Sequence, residues 1–318
     1  MKPIEIRARL YPFSHTPGVA CLLPSTSHRV EVFPSLIRCG EHEWPLEVEG
    51  PSARFTVVQD LEHSCVTVFS ESYHVHLLPD LTLVSGKRPK NTSVSLPRYH
   101  FGDHKKLEWE RVKARCHMGE VFPLWLRLGQ LLRLPHVPID TSGMFSLLTK
   151  CEEVISEHKP ERILPAFKKV FLAGFEGMMI PRNQDSEHQG ILPSKAEIST
   201  TSPLYLLTWG AELIRSLFFR SYGQELVILP ELPPELFAGR IVGETFTFGT
   251  CDIIWSKKEL TALVLHAQTS GEIHLHFPPM WSSFRLKRGK HTHCQRIPCG
   301  TPLAIEAGEH YVLDCFEK

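Results

Sequence analysis

Two changes of hydrophobic period divide the chain into three segments. Over residues 1–84 apolar and polar positions alternate in short runs, as at 4–10, 28–33 and 64–69. That period of two is expected of strands with one face in a core and the other in water. Prolines at 12, 17, 24, 34, 45 and 51 fall between such runs, where they end strand pairing without removing a ladder hydrogen bond. Residues 85–99 read as a linker, because Gly86, Lys87, Pro89 and Asn91 make the stretch polar and rich in turn formers.

Over residues 100–223 the period becomes helical. Apolar positions 121, 122, 125, 128 and 132 recur at spacings of three and four, and so do 144, 147, 148, 151, 154 and 155, then 163, 167, 170, 171 and 174. A last stripe comprises Leu204, Leu207, Ala211, Ile214, Leu217 and Phe218. Pro160 and Pro203 fit first helical turns, Ser202 a capping acceptor and Gly223 a stop, while Pro123 is expected to kink or divide the first helix. Over residues 224–318 the period of two returns in at least six strands, with Ser256-Lys257-Lys258-Glu259 as a hairpin loop. The pattern predicts an α+β fold with an N-terminal β segment, a reduced helical middle of four or five helices and a C-terminal β-sandwich.

Composition narrows the functional classes. The chain is 42% hydrophobic and 22% charged, close to the roughly 45–50% and 25% of globular proteins, which excludes a disordered chain. Lys plus Arg equal Asp plus Glu at 35 each, so no global field draws in a phosphate backbone and nucleic acid is not an expected partner. The segment 124–134 is the most apolar helical stretch, but Arg127, Gln130 and Arg133 interrupt it, which argues against a membrane span. Residues 1–10 carry Glu5, Arg7 and Arg9 among single apolar residues, unlike an export signal. The nine cysteines are scattered singly, and with no signal they are expected to be reduced thiols of a cytoplasmic protein.

One stretch has the order of a known family. Trp209-Gly210-Ala211-Glu212-Leu213-Ile214, then Glu225-Leu226-Val227-Ile228-Leu229-Pro230-Glu231-Leu232-Pro233, Gly239-Arg240-Ile241-Val242-Gly243 and Asp252-Ile253-Ile254-Trp255-Ser256-Lys257-Lys258-Glu259-Leu260 stand in succession. Residues 205–277 so resemble the close of the catalytic barrel in family 95 α-L-fucosidases and related six-hairpin glycosidases. The resemblance implies a β region, a helical (α/α) toroid and a C-terminal β-sandwich, in a bacterial carbohydrate-related protein. It also implies a departure. A full toroid has twelve helices, more than residues 100–223 can hold, and where the family carries a catalytic carboxylate in an Asp-Gly-Asn-Phe-Gly type motif this chain reads Leu204-Tyr205-Leu206-Leu207-Thr208.

Candidate chemistry follows from residue types. Glycoside hydrolysis needs two carboxylates flanking the scissile bond, and the glycine-flanked segment 175–190 supplies Glu176, Asp185 and Glu187, with Arg182 and His188 as substrate orienters. A solvated interhelical loop would have the same composition. Trp109, Trp125 and Trp209 offer faces for sugar stacking or core packing. Trp209 and Glu212, three apart and off the apolar stripe, share a helix face. The histidine pairs 74/76 and 274/276 each fall on one strand face, a spacing that can bind zinc or copper but needs a third ligand, and the cluster His291, His293, Cys294 and Cys299 lacks the spacing of a structural zinc site, so no metal is expected, and no phosphate-binding glycine loop points to a nucleotide cofactor. The reading is of a truncated glycosidase that hydrolyses or binds a saccharide. The alternative is a noncatalytic interaction protein, a homodimer or the docking partner of another chain, because half a toroid would leave apolar helix faces uncovered.

Overall fold

The computed structural model describes residues 6, 9–47, 54–87, 96–102, 106–190, 198–289 and 294–318. The fold is α+β, with strand-rich ends around a helical middle. The N-terminal strands form two antiparallel sheets, one of five strands (Phe13–Ser14, Thr56–Asp60, Cys65–Phe69, His74–Leu77, Leu83–Ser85) and one of four (Val19–Leu22, Arg29–Phe33, Leu36–Cys39, His42–Pro45). Buried Gln59 of the first sheet donates its amide to the Leu22 carbonyl of the second at 2.7 Å, which satisfies a polar group that would otherwise be costly inside the core. Most of the strand expected at 4–10 and of the expected linker lies outside the described residues.

Among the described residues five helices follow: α1 (Trp109–Arg115), α2 (Met118–Leu131), α3 (Phe145–Ser156), α4 (Pro160–Gly174) and α5 (Tyr205–Ser216). α2 to α5 match the four periodic stretches, with three corrections, and α1 lies ahead of them on no stripe read from the sequence. α2 runs unbroken through Pro123; the proline lies near the start of the helix, where its missing N–H forfeits a single early bond. α5 starts at Tyr205 without a side-chain cap, because the Tyr205 N–H bonds the Ser202 backbone carbonyl at 3.1 Å instead of its hydroxyl. It also ends at Ser216, short of Gly223. The apolar run continues into a strand, Phe219–Tyr222, and Gly223 (φ +59°) supplies the left-handed residue that turns this strand into the next, Glu225–Ile228.

The uncovered helix faces expected of half a toroid do not occur among the described residues. Every α2 residue from Met118 to Gly129 is buried, and the large exposed apolar side chains are Val137, Ile198, Tyr222, Phe237 and Met280, one in each of five segments. α2 is central because glycines let its neighbours approach. A Cβ on Gly129 would stand 2.7 Å from the Leu207 carbonyl oxygen and 2.5 Å from Ala211 Cβ, both on α5.

The C-terminal part contains a seven-stranded sheet, in the order Arg98–His100, Gly239–Phe246, Gly249–Ser256, Glu259–Ala267, His310–Glu317, Ser283–Arg288, Cys294–Pro298, and a four-stranded sheet of Phe219–Tyr222, Glu225–Ile228, Gly271–His276 and Leu303–Ile305. The strand at 98–100 thus ties the end of the N-terminal half to the C-terminal sheet through residues 240–242. The loop read from Ser256-Lys257-Lys258-Glu259 is a two-residue hairpin in which Ser256 pairs with Glu259, and Lys257 (φ +54°) and Lys258 (φ +66°) occupy the left-handed region of a type I′ turn. Lysine is disfavoured there by roughly 1 kcal/mol or more per residue relative to glycine. Replacing the pair with Asn-Gly is expected to raise the unfolding free energy by about 1 kcal/mol; an unchanged or lowered urea midpoint would contradict this.

Candidate functional site

α5 has two faces. Leu206, Leu207, Gly210, Ala211, Leu213 and Ile214 are buried against the rest of the helical middle. Tyr205, Thr208, Trp209, Glu212 and Arg215, at spacings of three and four, line a groove of about 650 Å³. The opposite wall is the end of α2 and the segment after it, with Gln130, Arg133 and His136. Trp209 is half-buried, its ring parallel to Phe145 (12°, centroids 6.3 Å apart), so the platform is braced from the core side.

Polar contacts fix the groove's rim and floor. The Tyr205 hydroxyl donates to the Pro135 carbonyl at 2.5 Å, holding the wall segment to α5. Asp140 latches the far end of that segment: its carboxylate accepts the backbone N–H groups of Ser142 (3.0 Å) and Thr200 (3.1 Å), while its own N–H donates to the Thr201 hydroxyl (2.9 Å). The hydrogen bonds, that from the Ser142 backbone first, pull the Asp140 carboxyl down to about 2, so the latch stays ionised in neutral and mildly acidic solution. Below the groove the Gln130 amide donates to the Tyr99 hydroxyl (2.9 Å), Tyr99 donates to Glu244 (2.6 Å), and Arg215 donates to the same carboxylate (2.6 Å). Burial, then the charge of Glu244, pushes the Tyr99 phenol well above its ordinary value, so it remains a donor.

Of the residues singled out in the sequence, the groove brings together Trp209 and Glu212. The segment 175–190 lies elsewhere. Phe175–Glu176 and Ile180–Pro181 form a small hairpin docked on the N-terminal sheet, where the Met178 N–H donates to the Ala20 carbonyl at 2.8 Å. Gly177 (φ +48°) permits this approach, since a Cβ there would stand 2.3 Å from the Ala20 oxygen. Glu176 is ion-paired with Arg29. Arg182 donates to the Ala173 (2.8 Å) and Leu172 (3.3 Å) carbonyls, capping the C-terminal end of α4. Asp185 is buried, accepts the Gly190 N–H at 2.8 Å and lies 3.6 Å from Arg182. Glu187 is exposed and bonded to Gln189, and His188 is a positive-φ turn residue (+51°) whose N–H bonds the Asp185 carbonyl. Each of these contacts organises the turn after α4.

Trp109 and Trp125 are core residues. His76 is buried against Thr67, whereas His291 and His293 lie outside the described residues. Among the described residues no three His, Cys, Asp or Glu side chains gather as metal ligands, and no helix is long and apolar enough to cross a membrane. All nine cysteines are free thiols; burial pushes Cys21 and Cys151 up to about 12, which keeps them protonated and unreactive.

No family model and no curated protein matches the chain. Among solved structures the chain is similar to a GH127 β-L-arabinofuranosidase from Geobacillus stearothermophilus T6, at 11% identity and a TM-score of 0.23, over 54% of this chain and 30% of that one. The chain therefore spans under a third of that enzyme's length, and that neighbour belongs to GH127, not to family 95.

Proposed function

We propose that the protein binds a saccharide in the groove between α2 and α5 without hydrolysing it. The observation that carries this reading is the pairing of a braced aromatic platform with one carboxylate, Trp209 with Glu212, in a groove of about 650 Å³, room for more than one sugar ring. The apolar face of a pyranose stacks on the indole, and its hydroxyls donate to Glu212 and accept from Arg133 and Arg215. Hydrolysis needs a second carboxylate about 5–10 Å from the first. Glu212 is the one carboxylate among the described residues lining the groove, and the family's catalytic position is filled by the segment 204–208. The resemblance of residues 205–277 to family 95 glycosidases fits a sugar-binding lineage that has lost its chemistry. The scattered exposure of single apolar side chains speaks for this reading over a broad protein-docking face.

Titration of the protein with mono- and oligosaccharides, followed by tryptophan fluorescence and by melting temperature, tests the reading. With a saccharide that binds, Trp209→Ala is expected to weaken affinity about 30-fold, the roughly 2 kcal/mol of an aromatic anchor, and Glu212→Gln about tenfold. Absence of a response to every sugar in a broad panel would sink the proposal. Release of a free sugar by the wild type, abolished in Glu212→Gln, would replace binding with hydrolysis.

A further inference from the structure

Arg127 carries a buried charge that the described residues only partly neutralise. It stands on α2 with 4% of its surface exposed, yet Nε and Nη1 have no hydrogen-bond acceptor among the described residues. The nearest carboxylate, Glu62, lies 3.9 Å from Arg127 and also 3.9 Å from Arg98, so one anion is shared between two guanidinium groups. Burial pushes Arg127 below the ordinary guanidinium value, against the partial compensation from Glu62. A desolvated cation with unfilled donors is costly unless an acceptor arrives.

The space beside it is built for one. Arg127 lines a cleft of about 520 Å³ between the end of α2 and the turn 25–27 of the N-terminal sheet. Ser25, Thr26, Ser27 and Ser64 contribute the hydroxyl side, and Arg133 a second cation. The cleft and the α2–α5 groove share Gln130, Leu132, Arg133 and Leu134, so they adjoin along one strip of chain. Gln130 sits at that junction with its Oε1 buried and unpartnered, an acceptor waiting for a hydroxyl or water. Arg127 and Gln130 are three apart on α2 and so lie on one helix face.

We propose that this cleft is an anion subsite continuous with the groove, and that the ligand is a saccharide bearing a carboxylate, a uronic acid or a chain that ends in one. The inference rests on the saccharide reading of the groove and adds the chemical class of sugar. At the buried end of the cleft Arg127, Arg98 and Glu62 sum to a single net positive charge, which one carboxylate matches, while Arg133, at the junction with the groove, is left to the hydroxyls of the ring. The carboxylate accepts from Arg127 and from the hydroxyls of Ser27 and Ser64, whereas the Ser25 and Thr26 protons are given to Ser64 and to the Leu23 carbonyl, and the ring lies over Trp209 with a hydroxyl donating to Gln130.

The test compares matched pairs on the wild-type protein at low ionic strength: D-galacturonate with D-galactose, D-glucuronate with D-glucose, and D-glucose 6-phosphate as the phosphate arm. The acids are expected to bind at least about tenfold more tightly than their neutral partners. Acetate is expected to displace the acids but not the neutral sugars, and Arg127→Met to erase the preference while leaving neutral-sugar affinity in place. Equal affinity of acid and neutral sugars overturns the anion subsite and leaves the groove reading standing. A response to acetate and uronates with none to any neutral sugar keeps the subsite and removes the groove reading. Tighter binding of the phosphate ester than of the uronates overturns the assignment to carboxylates. The acetate competition needs no variant, so the outcome does not depend on whether Arg127→Met folds.

Discussion

Alanine at Trp125 is expected to lower the unfolding free energy by about 3–5 kcal/mol, the range for truncating a fully buried aromatic, whereas alanine at Trp209 is expected to cost under about 1.5 kcal/mol. Both residues sit on helices that meet at the same interface, so the contrast isolates what burial does. Trp125 is fully buried and makes edge-to-face contacts with Phe175 (centroids 4.8 Å apart) and Phe167 (6.0 Å). Its indole N–H donates to the Leu206 carbonyl on α5 at 3.0 Å. The ring lies so close to α5 that a Cβ on Gly210 would approach it to 2.5 Å. Truncation therefore removes dispersion contacts, leaves a cavity between two helices and deletes the bond from the indole to α5. Urea unfolding of the two variants beside the wild type measures both values. A loss below about 2 kcal/mol for Trp125→Ala would mean that the interface collapses to fill the gap, and α2 would then not be the rigid wall that the groove requires.

The element order was legible from periodicity, because strands and helices here bury whole faces and the alternation or three-four spacing survives in the residue types. It failed where one element runs into another without a change of polarity. Leu217, Phe218 and Phe219 are all buried, so the end of α5 and the start of the next strand write the same apolar text, and the strand was hidden inside the helical stripe. Central burial of α2 was likewise invisible, since Arg115 neutralises Glu120 inside the fold through bonds of 2.6 and 2.8 Å that no local pattern announces.

The candidate site was half legible. Trp209 and Glu212 stood out as polar positions beside an apolar stripe, and both line the groove. The carboxylates of the segment 175–190 stood out for composition alone, and their partners in space, Arg29 for Glu176 and the Gly190 N–H for Asp185, account for them as turn and docking contacts. The residues missed were in view for another reason. Arg127, Gln130 and Arg133, three apart on and just beyond α2, read as interruptions of an apolar stretch. Their common spacing also places them along one side of the chain, where they border the groove and its neighbouring cleft.

Replacement of Arg215 by methionine is expected to destabilise the fold by about 3–5 kcal/mol at neutral pH, through a group that Arg215 covers. Glu244 has 2% of its side chain exposed, against 36% for Arg215, and it is the carboxylate on which Arg215 and Tyr99 converge. Without the arginine a buried carboxylate keeps a single phenolic donor and no counter-charge, and at neutral pH the fold must hold it ionised out of water. Adding Glu244→Gln to Arg215→Met should recover part of the loss, because the amide fills the same space without a charge. Urea unfolding of the single and double variants reads both effects. A double variant no more stable than the single one would show that Arg215 contributes through packing on Phe219, whose ring lies 5.4 Å from its guanidinium carbon, and not through the buried carboxylate.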